Sequence, residues 1–341
     1  MGGGEINGHN LFDQVITHAN LQLAWRKFSR GKSRKKDVRE FSKRLEYNLL
    51  KLHYLLLSGG YRHSGYVSFF VADPKLRHIH KAAVVDRVVH QAIVQIIEPL
   101  FDPGFIFDSY SSRSGKGTHR AVAKLRQSAR KLSRNNTRDV WFLKCDIRKF
   151  FDSISHGILL SLLSRKICDR RLLDLLENII GSFHVMPEIG IPLGNLTSQL
   201  FSNIYLNELD QFAKRRLSIK HYIRYADDFI IVGTDRAYLE TLINIFHDYL
   251  SRSLELDLHP RKIALRPWHQ GIDYLGYVIF PHHTILRRKT GKRMIRRINR
   301  KVLAGASADE LGATAQSYLG ILSHCRGFGW QKRTAQAVFP S

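Results

Sequence analysis

Apolar residues recur at helical spacing in the first part of the chain. Leu45, Leu49, Leu52 and Leu56 are three or four positions apart, which places them on one face of a helix. We therefore predict that residues 11–58 are helical, with the basic loop RGKSRKK as an interruption. The same periodicity predicts further helices over residues 82–100, 118–133, 157–181 and 237–254, and from about Thr197 onward.

Short runs rich in β-branched and aromatic residues alternate with these helices. They are YVSFFVADPKLRHI, VWFLKC at 140–145, HYIRYADDFIIVG and GIDYLGYVIF. The third run is typical of a strand, a tight turn and a second strand. Because the strands form mostly antiparallel hairpins separated by helices, the pattern predicts an α+β fold.

Composition and charge indicate a globular protein with a polyanionic partner. Of 341 residues, 44% are hydrophobic, and 54 basic against 29 acidic residues give a formal net charge of +25. Nucleic acid is the favoured partner, with an anionic membrane surface second. No apolar run approaches the roughly 20 residues that span a bilayer, so we expect no membrane partner. The absence of a signal-like start and of paired cysteines favours a cytoplasmic location.

The most basic segment begins at Arg287. RRKTGKRMIRRINRK contains nine basic residues and no acidic one. On a helix, one face would carry the basic residues Lys292, Arg293, Arg296, Arg297, Arg300 and Lys301. The opposite face would carry Met294, Ile295, Ile298 and Val302. We predict a small helical domain over residues 284–341 whose basic face contacts a nucleic-acid duplex, with structured RNA as the alternative.

Three aspartates at strand ends are the strongest candidates for chemistry. Asp227 and Asp228 lie at the hairpin turn between apolar flanks, and Asp146 ends the strand VWFLKC. Clustered carboxylates repel one another, and a hard divalent cation such as Mg²⁺ relieves that repulsion. Such a site is suited to two-metal phosphoryl transfer. From their spacing alone, these aspartates could instead be solvated turn residues or partners in ion pairs.

An ordered series of motifs resembles the reverse transcriptases. The segments DIRKFFDSISH, GIPLGNLTSQLFSNIYLNELD, YIRYADDFIIV, LHPRK and GIDYLGYVI resemble the polymerase palm, and PKLRHIHKAAVVDRVVHQAI with SYSSRSGKGTHRAV resembles the fingers of bacterial members. The resemblance implies a right-hand polymerase fold and RNA-directed DNA polymerase activity. Its implied domains are an N-terminal helical extension (1–58), fingers (59–135), a palm with part of the fingers (136–283) and a thumb (284–341).

The resemblance also implies roles for individual residues. Asp146 and Asp227 would ligate two Mg²⁺ ions, or Mn²⁺, with Asp228 beside them. Phe151 would be an aromatic steric gate that favours dNTPs, although a core aromatic is the ordinary alternative. The basic residues implied in contacts to the triphosphate are Lys75, Arg77, Arg113 and Lys262, each of which could instead be a surface cation. Tyr274–Tyr277 resembles the primer grip.

One motif differs from that of most reverse transcriptases and indicates a particular type within the family. The chain has Leu193-Gly194 and Ser198-Gln199, a pattern that resembles diversity-generating retroelements. This implies contacts of Leu193 and Gln199 with the nucleotide, and a bacterial, archaeal or phage-encoded enzyme. It also implies cDNA synthesis from a template RNA with a primer strand, errors at template adenines, and a basic pentameric accessory protein. Neutral drift at a packing position is the alternative for Leu193.

Two other functions fit parts of the same pattern. A retron or phage-defence reverse transcriptase would share the palm and differ in its RNA partner. An RNA-binding scaffold without activity would use the positive charge alone, but such a scaffold has no need for three clustered carboxylates.

Overall fold

A computed structural model describes residues 10–72 and 76–338. In chain order the helices are α1 (Leu11–Ile16), α2 (His18–Ser29), α3 (Lys36–Ser42), α4 (Leu45–Leu57), α5 (Val84–Phe101), α6 (Thr118–Leu132), α7 (His156–Ser164), α8 (Arg170–Gly181), α9 (Leu196–Gln211), α10 (Arg236–Leu254), α11 (Arg288–Leu303), α12 (Ala308–Leu322) and α13 (Phe328–Val338). The strands are β1 (Val67–Val71), β2 (Arg77–Lys81), β3 (Trp141–Asp146), β4 (Tyr222–Tyr225), β5 (Asp228–Gly233), β6 (Ala264–Pro267), β7 (Ile272–Tyr274), β8 (Tyr277–Ile279) and β9 (Thr284–Leu286).

The described chain divides into two compact units, each made of separate segments. Unit 1 takes its residues from 1–114, 147–218 and 246–259. Unit 2 takes its residues from 115–146, 219–245 and 260–341. The expected mixture of helices and antiparallel strands is confirmed. The chain crosses between the units several times, so neither unit is a continuous stretch of sequence.

Unit 1 is mainly helical and is built around α5. Val88, Ala92 and Ile93 on this helix are fully buried, and α5 packs against α2 and α9. The helix is apolar around most of its circumference, which is typical of a helix surrounded by others. Unit 1 also contains the antiparallel hairpin of β1 and β2.

Unit 2 contains a four-stranded antiparallel sheet in the order β4-β5-β3-β6 and a three-stranded sheet in the order β7-β8-β9. Leu143 and Cys145 on β3 and Ile230 on β5 are fully buried. The helix α6 packs against β4 and β5 and covers part of this sheet. The buried strands therefore form a rigid support for the polar residues at their ends.

The helices α11, α12 and α13 of unit 2 pack against one another. Gly291 lies where a Cβ atom would overlap the ring of Trp330, which explains a glycine inside α11. No helix among the described residues is long and apolar enough to cross a membrane.

The sequence prediction missed several helix breaks in unit 1. Residues 11–58 form the four helices α1 to α4, with breaks at residues 17 and 43–44 besides the basic loop, and residues 157–181 form two helices. The chain breaks between α7 and α8, where Asp169 caps the second helix by accepting from Leu172 N at 3.2 Å. Its other carboxylate oxygen accepts from Phe12 N at 2.8 Å. Asp169 therefore fixes the start of α8 and also contacts the backbone of α1.

We predict that Asp169→Ala destabilises the protein by about 2 kcal/mol, because it removes an N-cap and leaves the Phe12 amide without its acceptor. Chemical denaturation measures this loss. Asp174→Ala on the exposed side of α8 is the control and should change stability by less than about 0.5 kcal/mol. Equal effects of the two substitutions would contradict the capping role.

Candidate active site

The hairpin of β4 and β5 carries two of the predicted aspartates. Tyr225 pairs with Asp228, so Ala226 and Asp227 form a two-residue loop. Ala226 has a φ of 54°, a left-handed conformation that glycine usually adopts in such tight turns. An alanine there carries a steric cost of about 1 kcal/mol, which surrounding contacts must offset.

Two hydrogen bonds within unit 2 hold this hairpin. Arg224 on β4 is fully buried, and its Nη1 donates to the Ala226 carbonyl oxygen at 3.1 Å. Thr118 Oγ1, at the start of α6, donates to the Tyr225 hydroxyl at 3.2 Å. A buried guanidinium is costly unless it is well paired, so its contact with the loop carbonyl constrains the turn that presents Asp227.

Asp146 and Asp228 face each other across β3 and β5. Their Cα atoms are register partners in the antiparallel ladder, and side chains at such positions are neighbours on the same face. Burial raises the pKa of Asp228 to about 6, with the Lys144 charge acting in the opposite direction and the charges of Asp146 and Asp227 adding to the increase. The strand pairing therefore forces together carboxylates that repel.

Two lysines partly balance this negative charge. Lys262 Nζ forms an ion pair with Asp146 Oδ1, and Lys144 Nζ lies 3.9 Å from Asp228 Oδ1. The Lys262 contact brings together two residues 116 positions apart in the sequence. The site thus combines carboxylate oxygens with cations that can also attract a triphosphate.

The chemistry of the aspartates fits a hard divalent cation. Carboxylate oxygens are the preferred ligands of Mg²⁺. Burial is the main cause of the raised pKa of Asp228, and the charges of Asp146 and Asp227 add to it; a bound cation would stabilise the ionised carboxylate against both. Within residues 10–72 and 76–338, however, no group of three or more His, Cys, Asp or Glu side chains is arranged to hold a metal. In this conformation Lys262 pairs with an oxygen of Asp146, and binding of Mg²⁺ by the three aspartates stays a prediction.

The residues predicted to contact the nucleotide are distributed over both units. Lys262 belongs to unit 2, whereas Arg77, Arg113, Phe151, Leu193 and Gln199 belong to unit 1. Lys75 lies outside the described residues. Arg77 is exposed on β2, and Phe151 is half-buried with its ring against Phe150 at a centroid distance of 5.4 Å.

Arg113 is committed to its own loop in this conformation. Its guanidinium contacts Asp102 Oδ1 at 2.6 Å and the Ile106 carbonyl oxygen at 2.7 Å, and only 8% of the side chain is exposed. These contacts order the segment before α6. A contact between Arg113 and a triphosphate stays a prediction and would require the guanidinium to leave these partners.

The loop containing Leu193 is attached to β2 within unit 1. The Leu193 carbonyl oxygen accepts from His80 N at 3.2 Å, and Asn195 Nδ2 donates to the His80 carbonyl oxygen at 3.2 Å. Gly194, with a φ of 117°, passes so close to Ile79 that a Cβ atom would lie 3.1 Å from its side chain. The two hydrogen bonds to His80 fix the backbone of this loop. Leu193 in the loop is half-buried, whereas Gln199 on α9 is exposed.

The basic face predicted near the C-terminal end is largely present on α11. Lys292, Arg296, Arg297 and Arg300 are exposed and Arg293 is half-buried. On the opposite side Met294 and Ile298 are buried, as expected, but Val302 is 37% exposed. The apolar face of the helix is therefore covered along only part of its length.

Two residues of the site were not identified from the sequence. Lys144 is two positions before Asp146 on β3, so the period of a strand puts both on one face, and this signal was available. Arg224 interrupts an apolar strand, which also marks it as unusual. Neither the carbonyl partner of Arg224 nor the neighbours of Lys144 can be read from local spacing.

The sequence of this chain is similar to those of known reverse transcriptases. Residues 72–279 match the family model described as "Reverse transcriptase (RNA-dependent DNA polymerase)". Protein YkfC of Escherichia coli is 27% identical over 288 residues, covering 72% of this chain and 73% of that protein. The group II intron-encoded protein LtrA of Lactococcus lactis is 22% identical over 299 residues, covering 67% of this chain and 48% of LtrA.

Solved structures show the same fold at low sequence identity. Telomerase from Candida albicans, in a complex with a fragment of telomeric RNA, aligns with a TM-score of 0.51 and 12% identity, covering 86% of this chain and 59% of that one. Apo telomerase from Candida tropicalis aligns with a TM-score of 0.50 and 9% identity, covering 71% and 60%. The chain spans about half the length of LtrA and about 60% of the telomerase chains. Because the family model covers more than half of the sequence, this chain belongs to the reverse transcriptase (RNA-dependent DNA polymerase) family.

Proposed function

We propose that this protein is an RNA-directed DNA polymerase that copies the template RNA of a diversity-generating retroelement into cDNA. The single observation that carries the polymerase assignment is the cross-strand pair of Asp146 and Asp228 beside the loop residue Asp227. Membership of the reverse transcriptase family supports the same chemistry.

The proposed reaction is attack of a primer 3′-hydroxyl on the α-phosphate of a dNTP, with release of pyrophosphate. Asp146, Asp227 and Asp228 would hold Mg²⁺, which when bound supplies Lewis-acid stabilisation of the charge that develops on the phosphates. Lys262 would leave Asp146 and place its ammonium group against the triphosphate. Arg224 fixes the loop carbonyl, so the hairpin keeps its shape during these exchanges.

Phe151 and Leu193 would select the substrate in this proposal. An aromatic ring under the sugar would exclude a 2′-hydroxyl and favour dNTPs. A leucine in place of a polar side chain would remove a contact to the incoming nucleotide and so reduce selection opposite adenine. The fixed backbone of the Leu193 loop supports a defined position for that side chain.

The expected partners are template RNA, a primer or cDNA strand, and dNTPs. The exposed basic residues of α11 would contact the nucleic-acid backbone through charge, without sequence selection. A pentameric basic accessory protein would be a further partner, because the resemblance to diversity-generating retroelements implies one. Similarity to LtrA favours a second candidate, a group II intron-type reverse transcriptase, and the natural template RNA would distinguish the two.

We predict that replacing Asp227 and Asp228 together with alanine lowers dNTP incorporation on an RNA template by about a thousandfold or more, because the metal ligands are lost. Primer extension by the purified protein measures this. Asp139→Ala, an exposed aspartate of the same unit, is the control and should retain activity. Full activity of the double variant would remove the catalytic assignment.

Another prediction concerns the fidelity of DNA synthesis. Leu193→Gln should lower misincorporation opposite template adenine by about fivefold, the effect of one net hydrogen bond of about 1 kcal/mol. Sequencing of cDNA made by the variant and the wild type measures it, with Leu193→Met as the apolar control. Equal error rates at all four template bases in the wild type would contradict the mutagenic role itself.

The third prediction follows from the pKa of about 6 for Asp228. A raised pKa means that the folded protein holds this proton more tightly than the unfolded chain does. The stability that protonation contributes is therefore full below the ordinary pKa of 3.8 and is lost as pH rises through about 6. Because Mg²⁺ must displace the proton, the Mg²⁺ concentration for half-saturation should rise below pH 6, by up to about tenfold per pH unit.

The Mg²⁺-induced rise in Tm, titrated at pH 5 and at pH 7.5, measures this dependence without an activity assay. Asp228→Asn cannot lose a proton at this position, so its weaker response to Mg²⁺ should be the same at both pH values. An identical Mg²⁺ midpoint for the wild-type protein at the two pH values would contradict the prediction.

A further inference from the structure

Lys144 lies at the candidate active site without a role in the proposed chemistry. It is two residues before Asp146 on β3, and the alternation of a strand places both side chains on the same face. Only 19% of its side chain is exposed. Because the aliphatic part of this side chain is largely buried, the contacts of its ammonium group decide where the charge lies.

The ammonium group of Lys144 has two polar neighbours. Nζ donates to the Asp273 carbonyl oxygen at 3.1 Å and lies 3.9 Å from Asp228 Oδ1. The ring centroid of Tyr274 is 6.0 Å away. The first distance is a hydrogen bond and the second is a longer ion pair, so the closest attachment of Lys144 is to the backbone of β7.

This attachment joins two separate sheets. β3 belongs to the four-stranded sheet, whereas β7 belongs to the three-stranded sheet, and no strand ladder connects the two sheets among the described residues. The loop 268–271 joins β6 of the first sheet to β7 of the second along the chain, and the Lys144–Asp273 hydrogen bond adds a direct contact from β3 to β7. This hydrogen bond fixes the β7–β8 hairpin relative to the strand that ends in Asp146.

The same hairpin is also attached to the start of α11. Arg287 Nη2 forms an ion pair with Asp273 Oδ1, and Arg287 N donates to the Gly276 carbonyl oxygen at 2.9 Å. Asp273 thus receives Lys144 on its carbonyl and Arg287 on its carboxylate. The carboxylates, the hairpin and the first residue before α11 form one continuous polar network.

We propose that Lys144 is a positioning residue that sets the distance between the β7–β8 hairpin and the aspartates. The inference rests on the proposed polymerase function and on the resemblance of Tyr274–Tyr277 in this hairpin to the primer grip, which would hold the primer end. A primer held by the hairpin would then have its 3′-hydroxyl aligned with the site of Asp146 and Asp228 through this lysine, in addition to the packing of α6 against β8. Loss of that alignment affects turnover more than nucleotide affinity.

The test compares Lys144→Met, which keeps the length of the stem, with Lys144→Arg, which keeps a charged donor. Lys131→Met, which removes an exposed lysine of α6, is the matched control for loss of charge. Amide hydrogen exchange of the metal-free protein over residues 272–279 reports the attachment directly. Steady-state primer extension gives kcat and the KM for dNTP separately.

Lys144→Met should accelerate exchange over residues 272–279 by about fivefold, lower kcat by about ten- to hundredfold and leave the KM for dNTP within about twofold. Lys144→Arg should recover most of both exchange protection and kcat. The control variant should match the wild type in exchange and in both kinetic constants.

Three results would overturn the inference. They are unchanged exchange in Lys144→Met, an undiminished kcat in that variant, and recovery of kcat by arginine without recovery of exchange protection, which would assign the effect to charge beside Asp228. Failure of the wild-type protein to incorporate dNTPs would instead overturn the proposed function, so the two failures are distinguishable.

Discussion

The repulsion between Asp146 and Asp228 is the constraint around which unit 2 is built. Antiparallel pairing of β3 and β5 places the two carboxyl groups opposite each other, and burial raises the pKa of Asp228. Isolated charges in this position would separate or take up protons. The apolar residues of both strands prevent separation, because moving the strand ends apart would expose a continuous buried core.

Three basic side chains near the aspartates each contact a different group. Arg224 is buried and holds the turn carbonyl. Lys262 pairs with Asp146, the residue that ends β3. Lys144 joins Asp228 to the backbone of a second sheet. A small part of the net charge of +25 thus lies at the aspartates, whereas Lys292, Arg296, Arg297 and Arg300 of α11 are exposed at the surface of unit 2.

Two of the basic residues predicted to contact a triphosphate differ in their surroundings. Lys262 and Arg113 were both expected to contact a triphosphate, yet Lys262 is at the aspartates and Arg113 is enclosed by its own loop. The expected reverse transcriptase fold is confirmed, since the family model and the telomerase structures agree. The proposed retroelement type rests on Leu193 in the loop attached to β2 and on Gln199 in the first turns of α9.

The sequence by itself determined the local elements: the apolar strands, the two-residue turn and the three aspartates at strand ends. Hydrophobic periodicity and turn chemistry depend on neighbouring residues, so they can be read along the chain. Only the tertiary structure decided the register of Asp146 with Asp228, the break at Asp169 and the hydrogen bond from Lys144 to Asp273. These contacts join distant segments, and their geometry follows from the packing of the whole unit.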